Sequence, residues 1–174
     1  PNRRALVSAI AEIELIGETL DSPPERPRFL AGERFLQLVS FLGCSPHIEL
    51  APPTGGGDFC YLEVLGPWPL PRLLRGRNTR PPACSDCGRR QDGLHSQIPP
   101  GAELPEALRW RCGHCGAEHH PAQWNWRQQG GAARIALSIN GIFPSEALPS
   151  DGLLGKLKAL NGGPWGYCYI QDLD

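Results

Sequence analysis

The chain has 174 residues, enough for one core-bearing domain with a small module attached, and a chain of that length buries most of its apolar surface without a metal or disulfides to hold it. With 40% hydrophobic and 20% charged residues the composition is globular, while 21 Gly and 19 Pro favour many turns and short elements over long helices. A formal net charge of −1 gives no overall attraction to nucleic acid, and no apolar run reaches the 18 or so residues of a membrane-spanning helix.

The opening stretch, "PNRRALVSAIAEIELIGETL", carries acids where a signal peptide would be apolar, so the expected compartment is the cytoplasm. In it Leu6, Ile10, Ile13, Ile16 and Leu20 recur at three- and four-residue spacing, which predicts a helix with Asn2 as its cap. "DSPPERPR" breaks it. A second helix is predicted over about 32–42, from the stripe Phe35, Leu38, Val39 and Leu42, with Gly43 as its stop.

Two strand-like runs follow, "HIEL" and "FCYLEVL", joined through "APPTGGGD" as a hairpin. In the second run Cys60, Leu62 and Val64 are expected on one face and Phe59, Tyr61 and Glu63 on the other. Gly55, Gly56 and Gly57 lack the Gly-Lys-Ser/Thr ending and following helix of a phosphate loop, and are expected to form a turn.

Beyond the cysteine-rich stretch, "ARIALSINGIF" alternates as a half-buried strand with Ile135, Leu137 and Ile139 on one face. A last helix is predicted from a Ser150 cap, with Leu153, Leu154, Leu157 and Leu160 inward and a stop at Gly162, before "WGYCYIQ" closes the chain as another strand. The pattern predicts an α+β fold: a mainly antiparallel sheet of about four strands with helices on one face. Residues 1–67 and 132–174 would form that core domain, and 68–131 an inserted module with basic flanks.

Cys84-Ser-Asp-Cys87-Gly88 and Cys112-Gly-His-Cys115-Gly116 are the strongest motif in the chain. Each hook offers two thiolates on a tight turn, and the glycine after each supplies the positive φ that the turn needs. Together the hooks make a closed four-sulfur set with no open position for a substrate, which disfavours a catalytic metal. Of the seven cysteines, the other three, Cys44, Cys60 and Cys168, sit among apolar neighbours and are expected to be buried thiols. His114, His119 and His120 are expected to face solvent or to hydrogen-bond around the ligands, since four sulfurs already complete the set.

The aromatic lead-in "RWRC" and the trailing "QWNWRQ" resemble the short strands around the second hook of zinc-ribbon modules, over roughly 80–127. The 24 residues between Cys87 and Cys112 exceed the usual ribbon spacing by an insertion loop. The resemblance implies a structural Zn2+; a single iron in a rubredoxin-like site is the less favoured rival. It implies no particular activity.

Charge is distributed unevenly: residues 1–67 carry a net −4, residues 68–134 a net +5 and residues 135–174 a net −2. Arg72, Arg75, Arg77, Arg80, Arg89, Arg90, Arg109 and Arg111 cluster about the hooks, with Trp110, Trp124 and Trp126 close by in sequence. Exposed Arg and Trp dominate protein contacts, so a non-enzymatic binding or regulatory module with a protein partner is the leading expectation. The same residues could hold phosphate and stack on bases, which makes a nucleic-acid-binding role the alternative. Against both stand 15 Arg to 2 Lys, a bias that a GC-rich coding sequence alone produces, and the duller task of covering a ribbon too small for its own core. Catalysis ranks third: no nucleophile elbow, phosphate loop, dinucleotide fingerprint or His-Glu-x-x-His helix is present, and Glu103/Glu106 and Asp172/Asp174 lie in solvated contexts.

Overall fold

The computed structural model describes residues 2–42, 48–93, 97–99, 101–143 and 145–173. In chain order the elements are α1 (Arg3–Glu12), β1 (Ile16–Leu20), β2 (Arg28–Ala31), α2 (Phe35–Leu38), β3 (Val39–Phe41), β4 (Tyr61–Leu65), β5 (Arg72–Leu74), β6 (Trp110–Arg111), β7 (Glu118–His119), a 3-10 turn (Pro121–Gln123), β8 (Gly131–Ala133), β9 (Ala136–Asn140), β10 (Ala147–Pro149) and α3 (Asp151–Asn161). They fall into two units. One takes the chain up to Pro67 together with Ile135–Gly166; the other takes Trp68–Arg134 and the segment from Tyr167 onward.

The first unit is an α+β layer. Its sheet runs β1-β2-β4-β9, and every neighbouring pair is antiparallel. Alternation along β4 puts Cys60, Leu62 and Val64, all fully buried, into one cluster with Leu6 and Ile10 of α1 and with Leu153 and Leu157 of α3. Full burial of side chains of this size is worth about 1.5–3 kcal/mol each, so this cluster is what holds the helices on the sheet. On the opposite face of β4, Glu63 is 3% exposed, and a carboxylate that deep needs partners. Arg26 and Arg28 supply them, each 3.0 Å from one of its oxygens.

The first predicted helix is shorter than its apolar stripe. Asn2 caps it as expected, accepting from the Arg4 and Ala5 N–H groups, but it ends at Glu12 and the chain re-forms as β1. In a continued helix the Glu14 and Leu15 carbonyls would accept from residues 18 and 19; they accept instead from Arg34 and Gly32, at 3.0 Å each. That approach requires a glycine, because a Cβ on Gly32 would lie 2.2 Å from the Glu14 carbonyl oxygen. The second predicted helix likewise survives for one turn, burying Phe35 and Leu38, before β3 pairs with β10.

The expected hairpin partner of β4 is also replaced. Residues 48–50 form no strand, His47 and Gly43 lie outside the described residues, and β4 pairs with β2 and β9, although the Glu49 carbonyl still accepts the Cys60 N–H at 2.6 Å. Gly55, Gly56 and Gly57 all have positive φ, and the expected turn is closed by the Gly56 N–H on the Pro53 carbonyl at 3.1 Å. "ARIALSINGIF" supplies β9, and α3 runs from its Ser150 cap to a left-handed Gly162, with Leu153 and Leu157 buried but Leu160 45% exposed. "WGYCYIQ" makes no strand. The Asn78 side-chain amide takes the place of a neighbouring strand, donating to the Tyr169 carbonyl and accepting from the Gln171 N–H, both at 2.8 Å. The sequence placed this segment with the core; its bonds to Asn78 and Gln128 group it with the second unit.

The second unit pairs β5 with β8 and β6 with β7, and single bridges tie Ala83 to Arg90 and to Asn125. It has its own core of Leu73, Leu104, Trp110, Trp124 and Trp126, which the Cys84 and Cys112 side chains join.

Candidate metal centre

The hooks are built alike. In the first, the Gly88 N–H returns to the Cys84 carbonyl at 2.9 Å and the Cys84 N–H reaches the Arg89 carbonyl at 2.9 Å; in the second, Gly116 returns to Cys112 at 2.9 Å and Cys112 reaches Ala117 at 2.8 Å. Gly88 and Gly116 stand at φ 70° and 76°, the left-handed backbone that closes each turn. Flanking pairs match too: Ala83 lies opposite Arg90 as Arg111 lies opposite Glu118. The two hooks thus share one local hydrogen-bond pattern.

All four sulfurs lie within 4.8 Å of one another. Cys84 Sγ is 3.8 Å from Cys115 Sγ, and Cys87 Sγ is 3.6 Å from Cys112 Sγ. A disulfide would bring them to about 2.05 Å. The edge of a tetrahedron with zinc–sulfur bonds of about 2.3 Å is about 3.8 Å, so the set has the dimensions of a four-coordinate thiophilic cation. Cys84 and Cys112 are buried against the tryptophan cluster, while Cys87 and Cys115 form an exposed lip.

Four thiols at this spacing cannot all ionise without a cation to balance them. Burial opposes ionisation of Cys112, but the N–H groups of Cys115 and His114, with the neighbouring thiols of Cys115 and Cys87, outweigh it and hold Cys112 down at about 6. Cys115 behaves oppositely: the Ala117 N–H favours its thiolate, yet Cys112, burial, Cys87 and Cys84 together push it up to about 12. Cys87 is also raised, despite the N–H of Arg89, by burial and by Cys112 and Cys84. A cation held by the four sulfurs would supply the missing charge and displace these protons.

Around the sulfurs, two contacts cross from one hook to the other. Gln91 is 8% exposed; its Oε1 accepts the Gly113 N–H at 2.9 Å, and its Nε2 donates to the Arg90 carbonyl at 3.0 Å. His119 Nε2 lies 3.0 Å from Asp86 Oδ1 without the geometry of a hydrogen bond, while the His119 carbonyl accepts from Trp124 Nε1. His120 caps the 3-10 turn through Nδ1, and His114 is exposed. None of the three histidines is needed as a fourth ligand. Gln91 and Asp86 escaped the reading of the sequence, although Gln91 and His119 each stand four residues after the second cysteine of a hook, an equal offset that would have paired them.

The tryptophans do not offer their faces to solvent. Trp110 meets Trp124 edge-on at 5.9 Å and Trp126 tilted at 6.0 Å, and all three are 3–6% exposed, so in this structure they build the core of the second unit. The arginines divide. Arg72 pairs with Glu103 at 3.4 Å and lies over the Trp68 ring, Arg77 pairs with Asp172 at 3.3 Å, Arg90 reaches Asp92 at 4.0 Å, and Arg109 donates to the Glu106 and Leu108 carbonyls. Arg75 is half-buried. Arg80, Arg89 and Arg111 are exposed and form no ion pair among the described residues, and the Arg111 guanidinium lies over Gly116. Of the remaining thiols, Cys60 is buried, which pushes it up to about 11, Cys168 is half-buried, and Cys44 lies outside the described residues. Among the described residues no helix is long and apolar enough to cross a membrane. No protein-family model, curated protein or solved structure matches this chain.

Proposed function

We propose that the chain is a non-enzymatic binding module of the cytoplasm, in which a structural Zn2+ on Cys84, Cys87, Cys112 and Cys115 stiffens a zinc-ribbon-like unit that docks a protein partner. The observation that carries this reading is the closed four-sulfur set. Four cysteine sulfurs at tetrahedral spacing leave no coordination position for water or substrate, so the metal acts on shape. Sulfur suits zinc and iron alike, and the redox-inert structural ion fits a site whose neighbours are hydrogen-bonded rather than open. Arg80, Arg89 and Arg111 are exposed side chains of this unit suited to a partner's carboxylates.

A photo-crosslinking residue at position 89, with position 156 on α3 as control, tests the docking role in cells. The expected result is a discrete protein adduct from position 89 that disappears in the Arg80→Glu/Arg111→Glu background. Adducts of equal yield at both positions, or none at either, would overturn it.

The same three exposed arginines favour nucleic acid as a second reading. If they contact phosphate on duplex DNA, binding falls with log salt at a slope of about −2.7 for three contacts. A chain that passes through heparin and oligonucleotide columns at low salt removes that reading.

A further inference from the structure

We propose that Gln91 and His119 are a matched pair of positioning residues that hold the two hooks in metal-competent register and set how slowly the ion leaves. The inference rests on the metal reading of the cysteine set.

The equal offset is the first support. Each of the two stands four residues beyond its hook's second cysteine, and each crosses to the turn of the other hook: Gln91 to the Gly113 N–H, His119 to the Asp86 carboxylate. Gly113 and Asp86 both lie inside the Cys-x-x-Cys turns. One is a hydrogen bond and the other a close contact, and both bear on how far apart the two pairs of sulfurs stand.

The second support is that both residues are anchored away from the sulfurs. Gln91 is held through its Nε2 to the Arg90 carbonyl and through its own N–H to the Pro82 carbonyl at 3.0 Å. His119 is held in β7 opposite Trp110, with its ring edge-on to Trp124 at 6.4 Å. The buried tryptophan cluster packs behind them and includes Cys84 and Cys112. To leave, the ion has to separate sulfurs that these two links keep together.

The links are not equal. Gln91 is 8% exposed, whereas the side chains of the His119–Asp86 pair are 23% and 55% exposed. An interaction shielded from water is the stronger of two similar ones, so Gln91 carries the larger share.

Release of Co2+ or Zn2+ from the loaded full chain to an excess of chelator is the test. Gln91→Ala is expected to speed release about 10- to 100-fold, the usual cost of losing a partner one layer out from a ligand. Gln91→Glu keeps the acceptor for Gly113 but loses the Nε2 donor to the Arg90 carbonyl, and recovers slow release only in part. His119→Ala gives a smaller acceleration, and His119→Gln, with an amide N–H for Asp86, reverses it. The thiolate-to-cobalt absorption is unchanged in every variant, since all four sulfurs remain, which separates positioning from general loss of structure. Release from Gln91→Ala within twofold of the unmodified chain, or equal acceleration in Gln91→Ala and Gln91→Glu, overturns the inference. Should Gln91→Ala not fold, unchanged release from His119→Ala does so. An unmodified chain that takes up neither metal overturns the metal reading and this inference with it.

Discussion

Cys87 Sγ and Cys112 Sγ, one from each hook, lie 3.6 Å apart with no covalent bond between them. Such spacing brings mutually repelling thiolates together and is relieved by a cation between them. Elemental analysis of the chain purified without chelators is therefore expected to find one zinc per chain. Cys112→Ser, which removes a buried ligand, should abolish it and disturb tryptophan emission through the cluster it touches, while the far-ultraviolet signal of α1 and α3 persists. Stoichiometric zinc retained by Cys112→Ser would refute the four-sulfur assignment.

Loading the metal should release protons. Cys115, pushed up to about 12, and Cys87, also raised, both hold protons at neutral pH, whereas Cys112 at about 6 is already largely a thiolate. The ligating form is the thiolate, so metal affinity rises with pH and is lost on acidification. Calorimetric titrations in buffers of different ionisation enthalpy should show at least two protons leaving per ion at neutral pH. A binding heat that does not depend on the buffer would contradict this.

Thiol reagents should distinguish the cysteines. Cys60 is fully buried in the first unit and held up at about 11 by that burial, so it stays unmodified until the unit unfolds. Cys87 and Cys115 form the exposed lip and, although their raised pKa slows them, are expected to react faster in the chelated chain than in the loaded one. Peptide mass mapping after brief alkylation reads this out; early labelling of Cys60 would show that its core position is wrong.

Glu63→Ala removes a buried carboxylate from between Arg26 and Arg28. A wholly buried pair broken in this way costs about 3–5 kcal/mol, but these arginines are 50% and 38% exposed and can rehydrate, so about 1–2 kcal/mol is expected. Ile10→Ala, in the fully buried cluster of the same unit, should cost about 2–5 kcal/mol. Urea titrations that rank the two in the opposite order would mean that the ion triad outweighs the packing.

By itself the sequence determined the local chemistry. Paired cysteines at Cys-x-x-Cys spacing with a glycine behind each carry their own turn, and that turn appears in both hooks with the same hydrogen bonds. Asn2 and Ser150 cap their helices, and alternation along 60–64 sorts Cys60, Leu62 and Val64 from Glu63, because caps and strand faces are decided within a few residues. What only the tertiary structure decided are the competitions between distant segments. Gly32 and Arg34 claim the carbonyls that would have prolonged α1, β10 claims the residues that would have prolonged α2, and the Asn78 side chain bonds the backbone of "WGYCYIQ", the segment expected to form a strand. An apolar stripe says that a side chain goes inward; it does not say which backbone partner will be waiting there. The tryptophans are the clearest instance. Their types suit a base-stacking surface or a core equally well, and it is the contact of Trp110 with Trp124 and Trp126, set by the pairing of β6 with β7 and by the second hook between them, that turns them inward.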